Sequence, residues 1–559
     1  MLSRARKFHL QILAMLLTGL ASAGPCAAQQ RNSDAPREVT AADYARAEKL
    51  MGYNTTPLVF RAGVRPTWLA DERFWYRNST AEGTEFVLVD AARGTRGPAF
   101  DHARLAAALS AAAGASYDAR HLPFTEFDLS ADGQTIAFSV RARRWTCDLR
   151  TNQCTSESGA GSGPQRGAGG RGGAPARIEV LSPDKKRAVF IRDFNLWVRD
   201  AATGKETQLT SDGVKDFGYA TDNAGWAKSE RPVVLWSPDS KKIATFQQDQ
   251  REVGEMYLVE TKVGHPALQA WKYPLPGDAV VTTIQRVIID VEGPRVVRLQ
   301  MPADQHRSTL CDNLVCRGGE WADVQWSPDS SRLAFVSTSR DHKRAQLRIA
   351  DAATGAIRDV IEETVATQYE SGSGRVNWRY LPASNEIIWF SERDNWGHLY
   401  LYELETGRLK NQITTGEWVV TQLLRVDEKN RMLYFLGVGR EKGRDPYFSH
   451  LYRVGFDGKN VSLLTPEDGT HEVMLSPSGR YFVDICSKPD VAPIAVLRDS
   501  DGKLLSTIEK ADISRLIAAG WKPPIPITVK ARDGATDLYG LMFKPANLDR
   551  KSTRLNSSH

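Results

Sequence analysis

Three kinds of residue in this 559-residue chain invite a chemical reading: closely spaced cysteines, a His-Glu dipeptide and a glycine run. Cys147 and Cys154 flank the turn of WTCDLRTNQCT, and Cys311 and Cys316 flank that of LCDNLVC. Each pair is placed to staple its own hairpin in an oxidising compartment, which leaves Cys486 over. Zinc would ask for CxxC units or a His/Cys cluster, and neither spacing occurs. His471-Glu472 opens like the metalloprotease HExxH helix, where two histidines four apart share one face, but position 475 is Leu. Gly167, Gly169 and Gly172 have GxGxxG spacing, yet a phosphate-cradling turn works only between a strand and a helix, and their surroundings are glycine. No GxSxG occurs in the 559 residues, so no elbow holds a nucleophilic serine at a strand end. The residues single out no catalytic centre, no metal and no cofactor.

The elements around these residues repeat. WSPDSKKIAT at 236–245 and WSPDSSRLAF at 326–335 are the best copies of a strand, a Ser-Pro-Asp turn and a second apolar strand. Weaker copies start at 68 (WLADERFWYR), 129 (LSADGQTIAF), 181 (LSPDKKRAVF), 381 (LPASNEIIWF), 426 (VDEKNRMLYF) and 475 (LSPSGRYFVD), which makes eight. Proline pre-sets φ for the turn, and Asp, Ser or Gly beside it bonds the tight backbone locally. A second hairpin follows each copy, as in NLWVRDAATGKETQLT, MYLVETKVG and HLYLYELETGRLKNQIT, so the repeat unit is four-stranded. Runs such as LYLY at 399–402 are apolar on both faces, as sheets stacked between neighbours require. The chain is mostly β, and the repeat predicts an eight-bladed β-propeller over 55–510. The wide gap between the copies at 236 and 326 is read as extra strands in TTIQRVIIDVEGPRVVRLQ.

Few pieces fall outside the blades. Residues 29–54 form an N-terminal segment whose TAADYARAEKLMG reads as a helix capped by Thr40, and DHARLAAALSAAAG at 101–114 as one capped by Asp101. ADISRLIAAG predicts a linker helix ended by Gly520. Residues 155–176 (TSESGAGSGPQRGAGGRGGAPA) cannot bury a core and are expected to be a mobile loop between blades.

With 41% hydrophobic and 25% charged residues the chain can bury a large core, which excludes wholesale disorder. Of its net charge of +6, Arg4, Arg6 and Lys7 supply half, so the remainder is too weakly basic to argue for nucleic acid. Those residues precede an apolar run at 10–20 and small residues at 21–23 and 26–28, the pattern of a signal peptide over 1–28. The apolar run is too short to span a bilayer comfortably. A secreted or periplasmic location without a stable membrane span follows as the expectation.

SERDNWGHLYLYELETG at 391–407 resembles a signature of the N-terminal propeller in the dipeptidyl peptidase IV branch of the prolyl oligopeptidase family of serine peptidases. So do YPLPGDAVVTTIQRVIID at 273–290, HLYRVGFDGKNVSLLTPEDGTHEVMLSPSGRYFVD at 450–484 and the WSPDS units. The resemblance implies a peptide substrate, hydrolysis by a Ser-His-Asp triad on an α/β-hydrolase domain, and a propeller that gates entry. ITVKARDGATDLYGLMFKPANLD at 527–549 looks like the first strands of that domain, which gives 511–549 as linker helix and domain start. Residues 550–559 read as a non-native tail after a truncation, and the chain itself is expected to be inactive. In the family, two consecutive glutamates before a WSPD-type strand bind the substrate's amino terminus. The matching stretch, 215–240, has no Glu-Glu pair, so Asp222, Glu230 and, further on, Glu252 stand as candidate substrate-binding acids. A homodimer is a further expectation. A non-catalytic propeller that binds or scaffolds other proteins is the competing reading.

Overall fold

The computed structural model describes residues 39–141, 143–156, 178–221, 229–310, 314 and 321–545. Residues 1–28, read as a signal peptide, all but the first two residues of the Gly-rich stretch, Asp222, Cys311, Cys316 and residues 550–559 lie outside these residues.

Consecutive antiparallel sheets occupy residues 67–98, 128–156, 180–208, 235–298, 324–364, 379–412, 419–463 and 470–510, the eight blades of a β-propeller; each has four strands, and the fourth gains a fifth where Asp304–Gln305 pairs with Thr283–Asp290. The repeated turn works through its serine. Ser237 Oγ donates to Asp239 Oδ1 at 2.5 Å and accepts from Lys242 N at 2.9 Å, and Ser327 repeats this with Asp329 and Arg332. Consecutive turns are also tied to one another. Ser240 and Ser330 take left-handed backbone (φ 60° and 61°), and their hydroxyls accept from Asp184 N and Asp239 N of the preceding blade, both at 3.2 Å. The motif's tryptophan does the same on the other side of the turn: Trp236 Nε1 donates to Val180 O and Trp326 Nε1 to Leu235 O.

Alternation explains strands that are apolar on both faces. In the sixth blade Ile387 and Trp389 pack on Ala334, Val336 and Leu347 of the fifth, whereas Ile388 and Phe390 pack on Leu433 and Phe435 of the seventh. The last blade closes on the first: Val483, Leu497 and Ile508 share a core with Phe74, Tyr76 and Val87. Tyr76 Oη donates to Glu509 Oε1 at 2.7 Å, Asn78 Nδ2 donates to the same oxygen at 3.0 Å, and Arg96 pairs with it. Outside the sheets, Phe60 and Asp512 exchange two backbone hydrogen bonds and latch the two ends of the ring.

The fourth blade corrects the strand assignment. MYLVETKVG does not supply its second hairpin: Glu255–Glu260 pairs only with Ala267–Lys272, in a separate two-stranded sheet. The blade's third and fourth strands are Thr283–Asp290 and Arg295–Arg298, from the stretch read as extra. The reason is burial. Ile284, Val287, Ile288 and Ile289 are at most 1% exposed, whereas Tyr257, Val259 and Leu268 are 61%, 58% and 66% exposed.

The helices form where their caps lie. Ala41–Glu48 starts from a reciprocal capping box of Thr40 and Asp43. His102–Ala113 is capped by Asp101, ends at left-handed Gly114, and buries Leu105 and Leu109 against Phe86 and Phe124. Ser514–Ala518 is the short linker helix. Ile525–Lys530 and Asp537–Met542 form a hairpin that is exposed along most of its length. Among the described residues no helix is long and apolar enough to cross a membrane.

Candidate functional site

In an antiparallel four-stranded blade, the turns between second and third strands share one end with the connections from blade to blade. Four groups of buried charge stand toward that end or beside those connections.

In the fourth blade the crossover at 209–234 delivers Tyr219, which is fully buried. Its hydroxyl donates to Asp212 Oδ1 at 2.8 Å, and Arg298 Nη2 reaches Asp212 Oδ2, Tyr219 Oη and Gln247 Oε1 at 3.0, 3.1 and 2.8 Å. Burial, then Asp212, pushes the Tyr219 hydroxyl up, so it remains a donor. On the next turn Arg251 grips Asp249 with two hydrogen bonds and lies 4.1 Å over the Phe217 ring. Glu252 follows on this turn and Glu230 stands at the end of the crossover, both exposed. No hydrogen bond or ion pair joins Glu230 to Glu252 among the described residues, and Asp222 lies outside them.

Between the fourth and fifth blades, Arg286 is 2% exposed. Its Nε donates to Asp304 Oδ2 at 2.7 Å, and its guanidinium lies over Phe335 and Trp321 at 4.8 and 5.4 Å. Ser337 Oγ also donates to Asp304, and Arg348 Nη1 to Ser337 Oγ. Nearby His306 is pulled down to about 4 by burial, so it stays neutral.

Between the fifth and sixth blades, Glu363 accepts from Trp389 Nε1 (2.8 Å), Ser391 Oγ (2.5 Å) and Arg393 Nη2 (3.0 Å). Arg393 is stacked 4.4 Å over Tyr400. Beside them burial first, then Glu370 and Glu363, pushes the Glu392 carboxyl up. Arg393 pairs with Glu363, while Glu363 and Glu370 stand near enough to Glu392 for their charges to act on it.

In the eighth blade, His471 Nδ1 lies 2.7 Å from Asp484 Oδ1 and Nε2 lies 3.0 Å from Glu467 O. Arg498 donates to both Asp484 and Glu467, at 2.9 and 2.6 Å. Glu467, His471 and Asp484 bring three ligand-type atoms within 4.8 Å of one another, but Arg498 already supplies the positive charge that a metal would bring. Burial pulls the imidazolium down, and the Asp484 hydrogen bond, Cys486, the Asp484 charge and the Glu467 carbonyl outweigh it, raising it to about 10. His471 is a structural cation here rather than a base. Cys486 is a free thiol on the partner strand, and Cys147 is disulfide-bonded to Cys154.

Of the candidate substrate-binding acids, Glu230 and Glu252 are in view, on separate segments. Sequence reasoning missed Glu363, Glu370 and Glu392. The signal lay in SERDNW, quoted for its likeness but not for its Ser-Glu-Arg.

A model of the dipeptidyl peptidase IV (DPP IV) N-terminal region matches residues 130–493. The chain is 24% identical over 371 residues to a probable dipeptidyl-aminopeptidase B of Aspergillus oryzae, covering 60% of this chain and 38% of that protein. Its counterpart in Aspergillus fumigatus is 25% identical over 352 residues, covering 57% and 36%. The chain thus spans less than two-fifths of the curated relatives it matches. Among solved structures, Porphyromonas gingivalis dipeptidyl peptidase 4 superposes with a TM-score of 0.62 at 18% identity, over 89% of this chain and 67% of that one. The blade count, the radial closure and the match over most of the propeller agree, and the chain belongs to the family of the dipeptidyl peptidase IV N-terminal region.

Proposed function

We propose that this propeller is the substrate-admitting part of a secreted or periplasmic serine peptidase of the dipeptidyl peptidase IV type, and that the 559 residues hydrolyse nothing by themselves. The observation that carries the reading is the family match over 130–493, on an eight-bladed ring. Peptide hydrolysis of this kind needs a serine activated by histidine and backbone donors for the oxyanion. The propeller's share is to restrict entry and to hold the substrate. Asp222, Glu230 and Glu252 are the acids proposed to attract its amine, by charge-assisted hydrogen bonds. The signal pattern over 1–28 and the Cys147–Cys154 disulfide support export. Cys311 and Cys316 are proposed as a second disulfide.

A second copy of the chain is the partner proposed for the Glu255–Lys272 hairpin. Two strands alone are marginal in water, and Tyr257, Val259 and Leu268 share one uncovered face of this pair.

The test of the main reading uses the 559-residue chain. Treatment with a serine-reactive fluorophosphonate is expected to label nothing. Titration with a short peptide bearing a free amino terminus is expected to bind more tightly than its acetylated counterpart, with Glu252→Gln narrowing the difference. Specific labelling, or equal binding of both peptides, would overturn it.

A further inference from the structure

Blades that radiate from an axis come closest at their innermost strands, and here the first strands of successive blades are bonded to one another. Trp236 reaches Val180 O and Trp326 reaches Leu235 O, while Gln325 donates to Trp378 O and accepts from Tyr380 N at the start of the sixth blade. Arg379 opens that blade's first strand, Arg379–Leu381. Its Nη1 donates to Val376 O and Trp378 O at 3.1 and 2.7 Å, and its Nη2 to Leu423 O of the seventh blade at 3.1 Å. Each of these partners is a neutral carbonyl.

Arg286, Arg393 and Arg498 each have a carboxylate partner, whereas Arg379 has none among the described residues. Of the acids on the first strands, Asp128 and Glu472 pair with Arg144 and Arg65, and Asp427 accepts from Asn430. Arg425, further along the seventh blade's first strand, is capped in the same way by Pro477 O, but its charge acts on Asp427. Charges taken out of water are ordinarily paired, because carbonyl dipoles do not cancel a full charge. Burial pushes the Arg379 pKa down, and no charged group offsets this. The side chain is only partly buried, and one edge of it is unused. Nε donates to nothing among the described residues, and it does not belong to the enclosed unpartnered atoms, so it is open to solvent. Nη2 has one proton left. Together they form the edge with which a guanidinium grips a carboxylate through two parallel hydrogen bonds. The three carbonyls hold that edge still, so little freedom is lost when a ligand docks.

We infer that Arg379 binds the carboxylate of an acidic side chain in a peptide, on the inner wall of the ring where the sixth and seventh blades meet. The carboxylate takes Nε and Nη2 and supplies the negative charge that the fold withholds. A planar acceptor of full charge suits this fork better than a further carbonyl would. The site stands on other blades than Glu230 and Glu252. Its choice of a peptide rests on the proposed admission of peptides, and its preference for a carboxylate rests on Arg379 alone.

Isothermal titration calorimetry on the 559-residue chain tests this with two peptide amides that have free amino termini, Ala-Ala-Glu-Ala and Ala-Ala-Gln-Ala. The acidic peptide is expected to bind at least about tenfold more tightly at low salt, the usual worth of a charge-assisted pair, and to lose part of that advantage at high salt. Arg379→Gln is expected to bring the two peptides level. Because Arg379 also ties two blades together, Arg379→Lys, which keeps the charge and gives up the fork, is measured beside it and is expected to narrow the difference to about threefold. Arg375→Gln, at an exposed position four residues earlier, is expected to leave the difference as it is. Equal binding of the two peptides by the native chain, an Arg379 variant that keeps the full difference, or its loss in Arg375→Gln would each overturn the inference while the free-amine preference stands. Binding of neither peptide would overturn it together with the proposed admission of peptides.

Discussion

His471 Nδ1 and Asp484 Oδ1 lie 2.7 Å apart with both side chains fully buried, a charged hydrogen bond at the heart of the last blade. Cross-strand register brings it about: His471 faces Cys486, and Asp484 lies two residues along on the same face.

The pH dependence of this pair follows from its sign. The folded imidazolium titrates at about 10 against an ordinary value of 6.5, so its stabilisation is full below about pH 6.5 and is lost as pH rises through 10. The difference in thermal midpoint between the native chain and His471→Asn is therefore expected to shrink steadily from pH 6 to pH 9.5. A constant difference would contradict the charged state.

Asp484→Asn leaves His471 and Arg498 sharing fewer negative partners in a closed interior. Breaking one member of a buried network of this kind costs about 3–5 kcal/mol. Urea unfolding followed by tryptophan fluorescence is expected to show a loss of that order, against well under 1 kcal/mol for Asp501→Asn, whose carboxylate is exposed.

Glu386 behaves oppositely with pH. Burial would raise its carboxyl, but Arg431, at 2.6 and 3.0 Å, and Lys410 outweigh that and hold it at about 2. Its contribution is present above about pH 4.5 and is lost as pH falls toward 2. Glu386→Gln is expected to cost about 1–2 kcal/mol at pH 6, the partners being partly exposed, and visibly less at pH 3.

The Cys147–Cys154 disulfide closes a loop of sequence separation 7 in the second blade. Loop-closure entropy for so short a span gives about 2–3 kcal/mol. Cys147→Ser/Cys154→Ser is expected to lower the thermal midpoint and to speed proteolysis within residues 128–156, with less effect on the sixth blade.

If the Glu255–Lys272 hairpin is the dimer contact, Val259→Lys/Leu268→Glu should halve the sedimenting mass. The two positions face each other across the strands, so the introduced charges pair and the hairpin survives. A native chain that sediments as a monomer would remove the proposal.

The blades were legible because their signal is local. Trp236, Ser237 and Asp239 lie within four residues and build one turn, so eight copies could be counted from spacing alone. The fourth blade was misassigned because Tyr257, Leu258 and Val259 look like any buried strand, and only their exposure separates them from Ile284 and Ile288. The buried charge networks were illegible for a different reason. Glu363 meets Ser391 and Arg393 across 28 and 30 residues, and Arg286 meets Ser337 through Asp304, pairings that exist only once neighbouring blades are stacked. His471 and Asp484 were within reach, since a hairpin around the Ser-Pro-Ser turn at 476–478 sets their register.

The bond from Tyr76 to Glu509 spans 433 positions of chain. On a ribosome the first sheet therefore emerges with one flank bare, and the partner that must cover Phe74 and Val87 is made last. Synthesis runs at roughly 5–20 residues per second, which leaves that flank unguarded for tens of seconds. Nascent chains should accordingly need a holding chaperone over their opening segment until the ring can shut, and slowing translation should lengthen that dependence.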